Sequence, residues 1–305
     1  MHRRALLALA LTTPALARTA QGESAPPLPV VASFSILADM VRQAGGGQVA
    51  VHAIAGPDVD AHSFQPRPSD IQALRQAKLV VRNGMGFDAW IDRLLPAAGY
   101  TGPVLTATDG VPPLSHAGHG HADHGHEGEQ DPHAWQDLRR GQTYVRNITT
   151  ALAAADPARS DLFRNAGEAY LQRLATLDGW VRAQIATVPE ARRKVVTSHD
   201  AFSYFGDAYG VRFLAPQGVN TESEPSAAQV GRLIRLLKQE GITAAFLENM
   251  ANPATLRRLA AEAGVTVQGR LYADALSPPG GPAPTYEAMF RHNVGLLVPA
   301  MRGAG

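Results

Sequence analysis

GPDVDAHSFQPRPSDIQALRQAKLVVRNGMGFDAW, residues 56–90, sets the pattern on which the chain is built. Gly56-Pro57-Asp58 ends a β-branched run at 49–54 and opens a loop that carries His62. Ser69 reads as the N-cap of a helix over 70–76. KLVVR, residues 78–82, reads as a strand, and 88–95 as the next helix. Working outward, 28–33 (LPVVAS) is a strand and 34–44 a helix with Ile36, Leu37, Met40 and Val41 at helical spacing. Gly45-Gly46-Gly47 stops that helix, and 104–107 is a fourth strand. Strand–helix alternation of this kind predicts a parallel sheet flanked by helices.

The same alternation resumes after residue 190. Strands are expected at 194–198, 213–215, 244–248 and 266–271, with helices at 201–209, 226–240, 253–263 and 286–301. Helical sequence lies between the halves. A helix over 138–155 precedes a second one with Phe163, Ala166, Tyr170, Leu174, Leu177, Val181, Ile185 and Val188 spaced three or four apart. Such a helix of about 28 residues would span roughly 40 Å. Periodicity alone fits a bridge between lobes and a long surface helix equally well. The fold class expected is therefore α/β, two lobes each with a mostly parallel sheet. Their bounds are 28–155 and 190–305, with 156–189 as the link.

The N-terminus reads as an export signal, residues 1–17, with a polar leader to about 27. Arg3-Arg4 is basic, 5–11 is apolar, and Ala15-Leu16-Ala17 has the small-x-small form of a cleavage site. The apolar run is too short to span a bilayer. The sequence holds no cysteine, which excludes disulfides, thiolate metal sites and a Cys nucleophile. It also offers no thiol after the apolar run for a lipid. A soluble periplasmic monomer without a lipid anchor is expected. A formal net charge of +1 provides no field to recruit nucleic acid.

With thiolates excluded, any transition-metal site must use His, Asp or Glu. Five of the eleven histidines, His116, His119, His121, His124 and His126, crowd one Gly- and Asp-rich tract within 115–130. Such a tract cannot pack a core and reads as a mobile, weakly metal-binding loop. His52 in a strand and His292 in the last helix read as structural. His62, His133 and His199 remain, each in a loop or at a strand end, where open α/β sheets bind ligands. Their separations match no local zinc motif. A fourth, oxygen ligand could be Asp274 or Glu248, each ending a strand. No phosphate loop and no H-E-x-x-H are present, and Ser198-His199-Asp200 is not a triad by adjacency.

Four motifs in order carry a resemblance: the stretch quoted above, DPHAW (131–135), TSHDAFSYFGDAYGV (197–211), and LYADALS (271–277) with TYEAMFRHN (285–293). Together they resemble the zinc/manganese solute-binding proteins of bacterial ABC transporters (cluster A-I). The resemblance covers essentially the whole mature chain. It implies two α/β lobes joined by one long rigid helix, with metal held between them by His62 and His133 from one lobe and His199 and Asp274 from the other. The His-rich tract is a feature of zinc-type members. Ala61 stands where Pro is usual, Gln65 where Glu is common, and Asp88 for a Glu near Trp90, which leaves open whether a carboxylate assists the first histidine. Three imidazoles and one carboxylate suit Zn(II) better than Mn(II), which prefers oxygen; a carboxylate at 199 would tilt the set toward manganese. The expected function is zinc binding and delivery to an inner-membrane permease. The alternatives are a manganese-binding member, a zinc hydrolase using Glu248 or Asp274 as base, and a stand-alone metal buffer.

Overall fold

The computed structural model describes residues 25–114 and 130–303. The expected signal at 1–17 and the five clustered histidines lie outside the described residues. The first sheet contains β1 (Leu28–Phe34), β2 (Val49–Ala55), β3 (Leu79–Arg82) and β4 (Val104–Thr106), all parallel, in the order β2-β1-β3-β4. Its crossovers are α1 (Ser35–Gly45), α2 (Pro68–Gln76) and α3 (Ile91–Ala98). Two helices follow, α4 (Leu138–Ala155) and α5 (Ser160–Ala186). The second sheet repeats the first. Its strands β5 (Lys194–Val196), β6 (Arg212–Leu214), β7 (Ala244–Glu248) and β8 (Thr266–Leu271) are parallel, in the order β6-β5-β7-β8. The helices α6 (Ser203–Tyr209), α7 (Ala227–Glu240), α8 (Pro253–Ala263) and α9 (Tyr286–Arg302) complete the chain.

Two helix starts differ from the sequence expectation. Ser69 does not cap α2; Pro68 opens the helix and the Asp70 carboxylate reaches back to accept from the Arg67 N–H at 2.7 Å. Proline fits there because a first-turn N–H needs no helical partner. α3 begins at Ile91, not at 88. The Asp88 carboxylate is instead taken up by the backbone N–H groups of Asn83 and Gly84. That buried carboxylate ties the end of β3 to the turn before α3, and burial raises its pKa.

The long helix is α5, 27 residues, or about 40 Å. Phe163, Tyr170, Leu174, Leu177, Val181 and Ile185 are buried along one stripe, as the spacing predicts. It packs on α4 and α1 on one side and on α9 on the other. A single apolar core therefore runs from Leu28 in β1 through α5 to Met301 in α9. A smaller core fills the far side of the second sheet, beneath α7 and α8.

Buried hydrogen bonds cross the seam between the lobes. Asp39 of α1 accepts from the N–H of Tyr286, the first residue of α9, at 2.8 Å. The Ser35 hydroxyl accepts from the Leu276 N–H at 3.0 Å. Trp135 Nε1 and Gln136 Nε2 both donate to the carbonyl of Ala273, at 3.0 and 2.8 Å. Among the described residues no helix is long and apolar enough to cross a membrane.

The stripe on α5 contains one residue that must stay small. Gly167 is buried against α4, and a Cβ there would collide with the Thr149 side chain. Gly167→Val should destabilise the fold by about 1–3 kcal/mol through forced separation of α4 and α5, read from the shift of the urea unfolding midpoint at unchanged slope.

Candidate metal centre

Strand register places two of the four residues. β5 pairs with β7 so that Val196 faces Ala245. Three residues on, His199 is level with Glu248 at the end of the neighbouring strand. Glu248 in turn pairs with Leu271 of β8, and Asp274 lies three residues beyond that point. These strands flank the position where the winding of the sheet reverses, the usual ligand site of an open parallel sheet. The first lobe supplies the others from loops. His62 follows β2, and His133 precedes the turn into α4.

Both loop histidines sit in the same local device. The His62 N–H donates to Asp60 Oδ1 and the His133 N–H to Asp131 Oδ1, each at 2.9 Å. The Asp-x-His pattern thus folds as an Asx-type turn twice. Aromatic neighbours complete the first loop. Trp90 Nε1 donates to the Ala61 carbonyl at 2.8 Å, and the His62 ring stands edge-on to Phe87, centroids 4.6 Å apart. The second loop is held by Asn83, whose Nδ2 donates to the Pro132 carbonyl at 3.0 Å.

The four expected residues converge. His62, His133, His199 and Asp274 each offer one donor atom, and these atoms lie within 4.8 Å of one another. Asp274 Oδ2 is 3.0 Å from His199 Nε2 and 3.3 Å from His62 Nε2, and Oδ1 is 3.5 Å from His133 Nε2. The Nε2 atoms of His62 and His133 are 3.3 Å apart. Bonds of ~2.0–2.1 Å to a central ion give a tetrahedron with edges of about 3.3 Å, so these four separations are close to those around a small divalent cation. His133, His199 and Asp274 are fully buried. Both Asp274 oxygens and His199 Nε2 lack a hydrogen-bond partner. Buried polar atoms left this way are costly unless something else binds them.

Two carboxylates that are not in the group orient it. Asp131 Oδ1 lies 2.7 Å from His133 Nδ1. Glu248 accepts the Ser198 and His199 N–H groups through Oε1, at 2.8 and 3.0 Å, and closely contacts His199 Nδ1 through Oε2. A carboxylate requires Nδ1 to be the donor, which leaves Nε2 with a free lone pair facing inward. Between the two candidates for the oxygen donor, Asp274 lies in the group and Glu248 behind it. Glu248 is therefore not free to act as the base of a hydrolase. Asp131 went unnoticed in sequence, although the repeated Asp-x-His spacing was visible there. Asp60 takes the His62 N–H and the hydroxyls of Ser63 and of Thr221, which reaches over from the second lobe at 2.8 Å. No carboxylate other than Asp274 is recorded against the His62 ring among the described residues. His52 and His292 stay outside the group, bonded to Asp70 and to the Arg270 carbonyl.

The electrostatics match a site built for a cation. Burial alone would lower the His133 pKa, but Asp274 and Asp131 outweigh it and raise it to about 9. Burial likewise opposes the charged form of His199, yet Glu248 and Asp274 hold it well above its ordinary value. Asp274 is held well below the carboxylate range, its burial overcome by the charges of His199 and His133. Without an ion, protons on the imidazoles balance the buried carboxylates. Asp131→Ala and Glu248→Ala should each weaken metal binding about 10–100-fold, measured by chelator competition; an unchanged affinity in both would remove them from the design of the site.

The chain matches the family described as "Zinc-uptake complex component A periplasmic" over residues 30–300. It is 32% identical over 281 residues to the manganese-binding lipoprotein MntA of Halalkalibacterium halodurans, covering 92% of this chain and 90% of that one. MntA of Bacillus subtilis, also named a manganese-binding lipoprotein, is 33% identical over 282 residues, 90% of each chain. Among solved structures, the periplasmic zinc-binding protein TroA from Treponema pallidum superimposes with a TM-score of 0.83 at 30% identity, covering 90% of this chain and 99% of that one. These relatives correct one expectation. A freely soluble protein with no lipid anchor was inferred from the missing cysteine, but relatives named lipoproteins show that members of this group are lipid-attached. The absence of one attachment chemistry does not establish a free state, and only the extracytoplasmic location stands. With 30–300 matched, the chain belongs to the zinc-uptake complex component A (ZnuA) family, the extracytoplasmic metal-binding solute-binding proteins of ABC transporters, which are not enzymes.

Proposed function

We propose that this protein binds Zn(II) through His62, His133, His199 and Asp274 and hands it, as a monomer, to an inner-membrane ABC permease. The lobes at 28–155 and 190–305, linked by 156–189, supply two donors each. The observation that carries this reading is the convergence of three imidazole Nε2 atoms on a buried carboxylate with no other partner. A nitrogen-rich, four-donor set is a borderline-soft site of the kind zinc prefers. The family description points the same way. His116, His119, His121, His124 and His126 would bind ions weakly, raise the local metal concentration and stand apart from the tight site.

Manganese is the second reading, and a specific observation favours it. Both Asp274 oxygens are free and lie near Nε2 atoms, so a bidentate carboxylate would raise the donor count to five and suit a harder, larger ion. The MntA relatives are named for manganese. Competition in a test tube does not decide between them, because zinc outcompetes manganese at most nitrogen–oxygen sites. Removing the gene should slow growth under zinc limitation, with rescue by the parent gene and not by one encoding His199→Ala. A growth defect confined to manganese limitation would assign the protein to manganese instead.

The proton balance gives a further expectation. Near neutral pH the metal-free centre carries protons on His133 and His199 that the ion must displace, while Asp274 is already ionised. Affinity should therefore rise with pH through neutrality toward about 9, instead of levelling off above the ordinary histidine pKa near 6.5. One or two displaced protons correspond to a Kd that falls about ten- to a hundredfold per pH unit between pH 6 and 8. Calorimetry in buffers of different ionisation enthalpy counts these protons directly. A Kd that is flat above pH 7 would contradict the expectation.

A further inference from the structure

The chain leaves the described residues at Leu114 and re-enters them at Gln130, and the flanks of that gap meet at one oxygen. The Leu114 N–H donates to the Tyr204 hydroxyl at 3.1 Å. The same hydroxyl donates its proton to the Asp131 carbonyl at 2.9 Å. Tyr204 is fully buried, with the Arg140 guanidinium 4.6 Å from its ring centroid. It lies in α6 of the second lobe, five residues after His199, whereas Leu114 and Asp131 belong to the first. Asp131 is the residue whose carboxylate holds both the N–H and the Nδ1 of His133.

One hydroxyl therefore joins three things. It links Leu114 to Asp131, fixes the backbone from which His133 hangs, and attaches that backbone to the segment that supplies His199. A phenylalanine would fill the same volume and keep the contact with Arg140. It would leave a buried carbonyl without its donor and an amide without its acceptor, so the hydroxyl has a role that packing does not explain.

We propose that Tyr204 is a positioning residue for the metal centre, a clamp that holds Asp131 and His133 against the lobe of His199. The inference rests on the assignment of His133 as a metal donor.

The test uses the full chain and compares the parent with Tyr204→Phe. Zinc dissociation is followed by chelator capture, and the Co(II) visible absorption band reports coordination geometry. Tyr204→Phe should speed dissociation about tenfold and shift the band. An off-rate and band unchanged by Tyr204→Phe, even with a lower melting temperature, would reduce the residue to packing and overturn the proposal. His133→Ala separates the two levels. If it keeps the tight site, the assignment of His133 is wrong, whatever Tyr204 does.

Discussion

The carboxylate of Asp274 is buried completely, neither of its oxygens has a hydrogen bond, and three imidazoles surround it. A charge in that position is tolerable only beside compensating charge. Much of the second lobe's topology serves to put it there. The end of β8 carries it past the level of Glu248, and Glu248 in turn is level with His199. The β7–β8 pairing shifts by one residue between Ala245 and Phe246 and then holds to Glu248 and Leu271; a further one-residue slip would point these groups to the wrong face. The centre and the sheet are therefore specified together.

The remaining donors come from the first lobe, so the seam must be as well defined as either sheet. Ala273, the residue before Asp274, gives its carbonyl to Trp135 and Gln136, which follow His133 by two and three residues. His133 and Asp274 are thereby fixed to one another across the lobes by bonds one turn away from the donor atoms. The bond from Asp39 of α1 to the first N–H of α9, the bond between Ser35 and Leu276, and the unbroken core through α5 make the same seam continuous. Opening it widely would expose buried hydrogen bonds and core together, each with a cost of its own. His62 is differently placed. Its loop is bridged to the second lobe by Thr221 through Asp60 and by Asn249 through Asp58, contacts whose side chains are in part exposed.

Most of this organisation could be read from sequence because it is written in apolar periodicity. The stripe from Phe163 to Ile185 needs three- and four-residue spacing to stay on one face, and it is buried as that spacing requires. Parallel strands buried on both faces appear as short apolar runs, and these also survived. What failed were local polar choices with tertiary partners. Ser69 had every property of a cap, but Asp70 and Pro68 took its place. Asp88 was expected to open a helix and is spent on the backbone of Asn83 and Gly84. Strand-end position alone did not rank Glu248 and Asp274, and the family resemblance was needed to prefer Asp274; the pairing of β7 with β8 then sets one beyond the other. Tyr204 left no trace, since its hydroxyl matters through two backbone groups that sequence does not label.

The arrangement also separates strength of binding from choice of metal. If His133 and His199 ligate as proposed, Asp131 and Glu248 would make their Nε2 atoms better donors to any dication, because each carboxylate stabilises the positive charge that the ring acquires on ligation. They raise affinity without favouring zinc over manganese. Selectivity must come from the number and hardness of the atoms that touch the ion. In this chain that choice is concentrated in two features: an imidazole and not a carboxylate at residue 199, and whether Asp274 binds through one oxygen or two. The first favours zinc through softer donors. The second turns on how the carboxylate is presented, and Trp135 and Gln136 fix the backbone just before it through the Ala273 carbonyl. With the four proposed donors, a shared fold would carry different metals through these two features, and the seam bonds beside Asp274 would bear on the second.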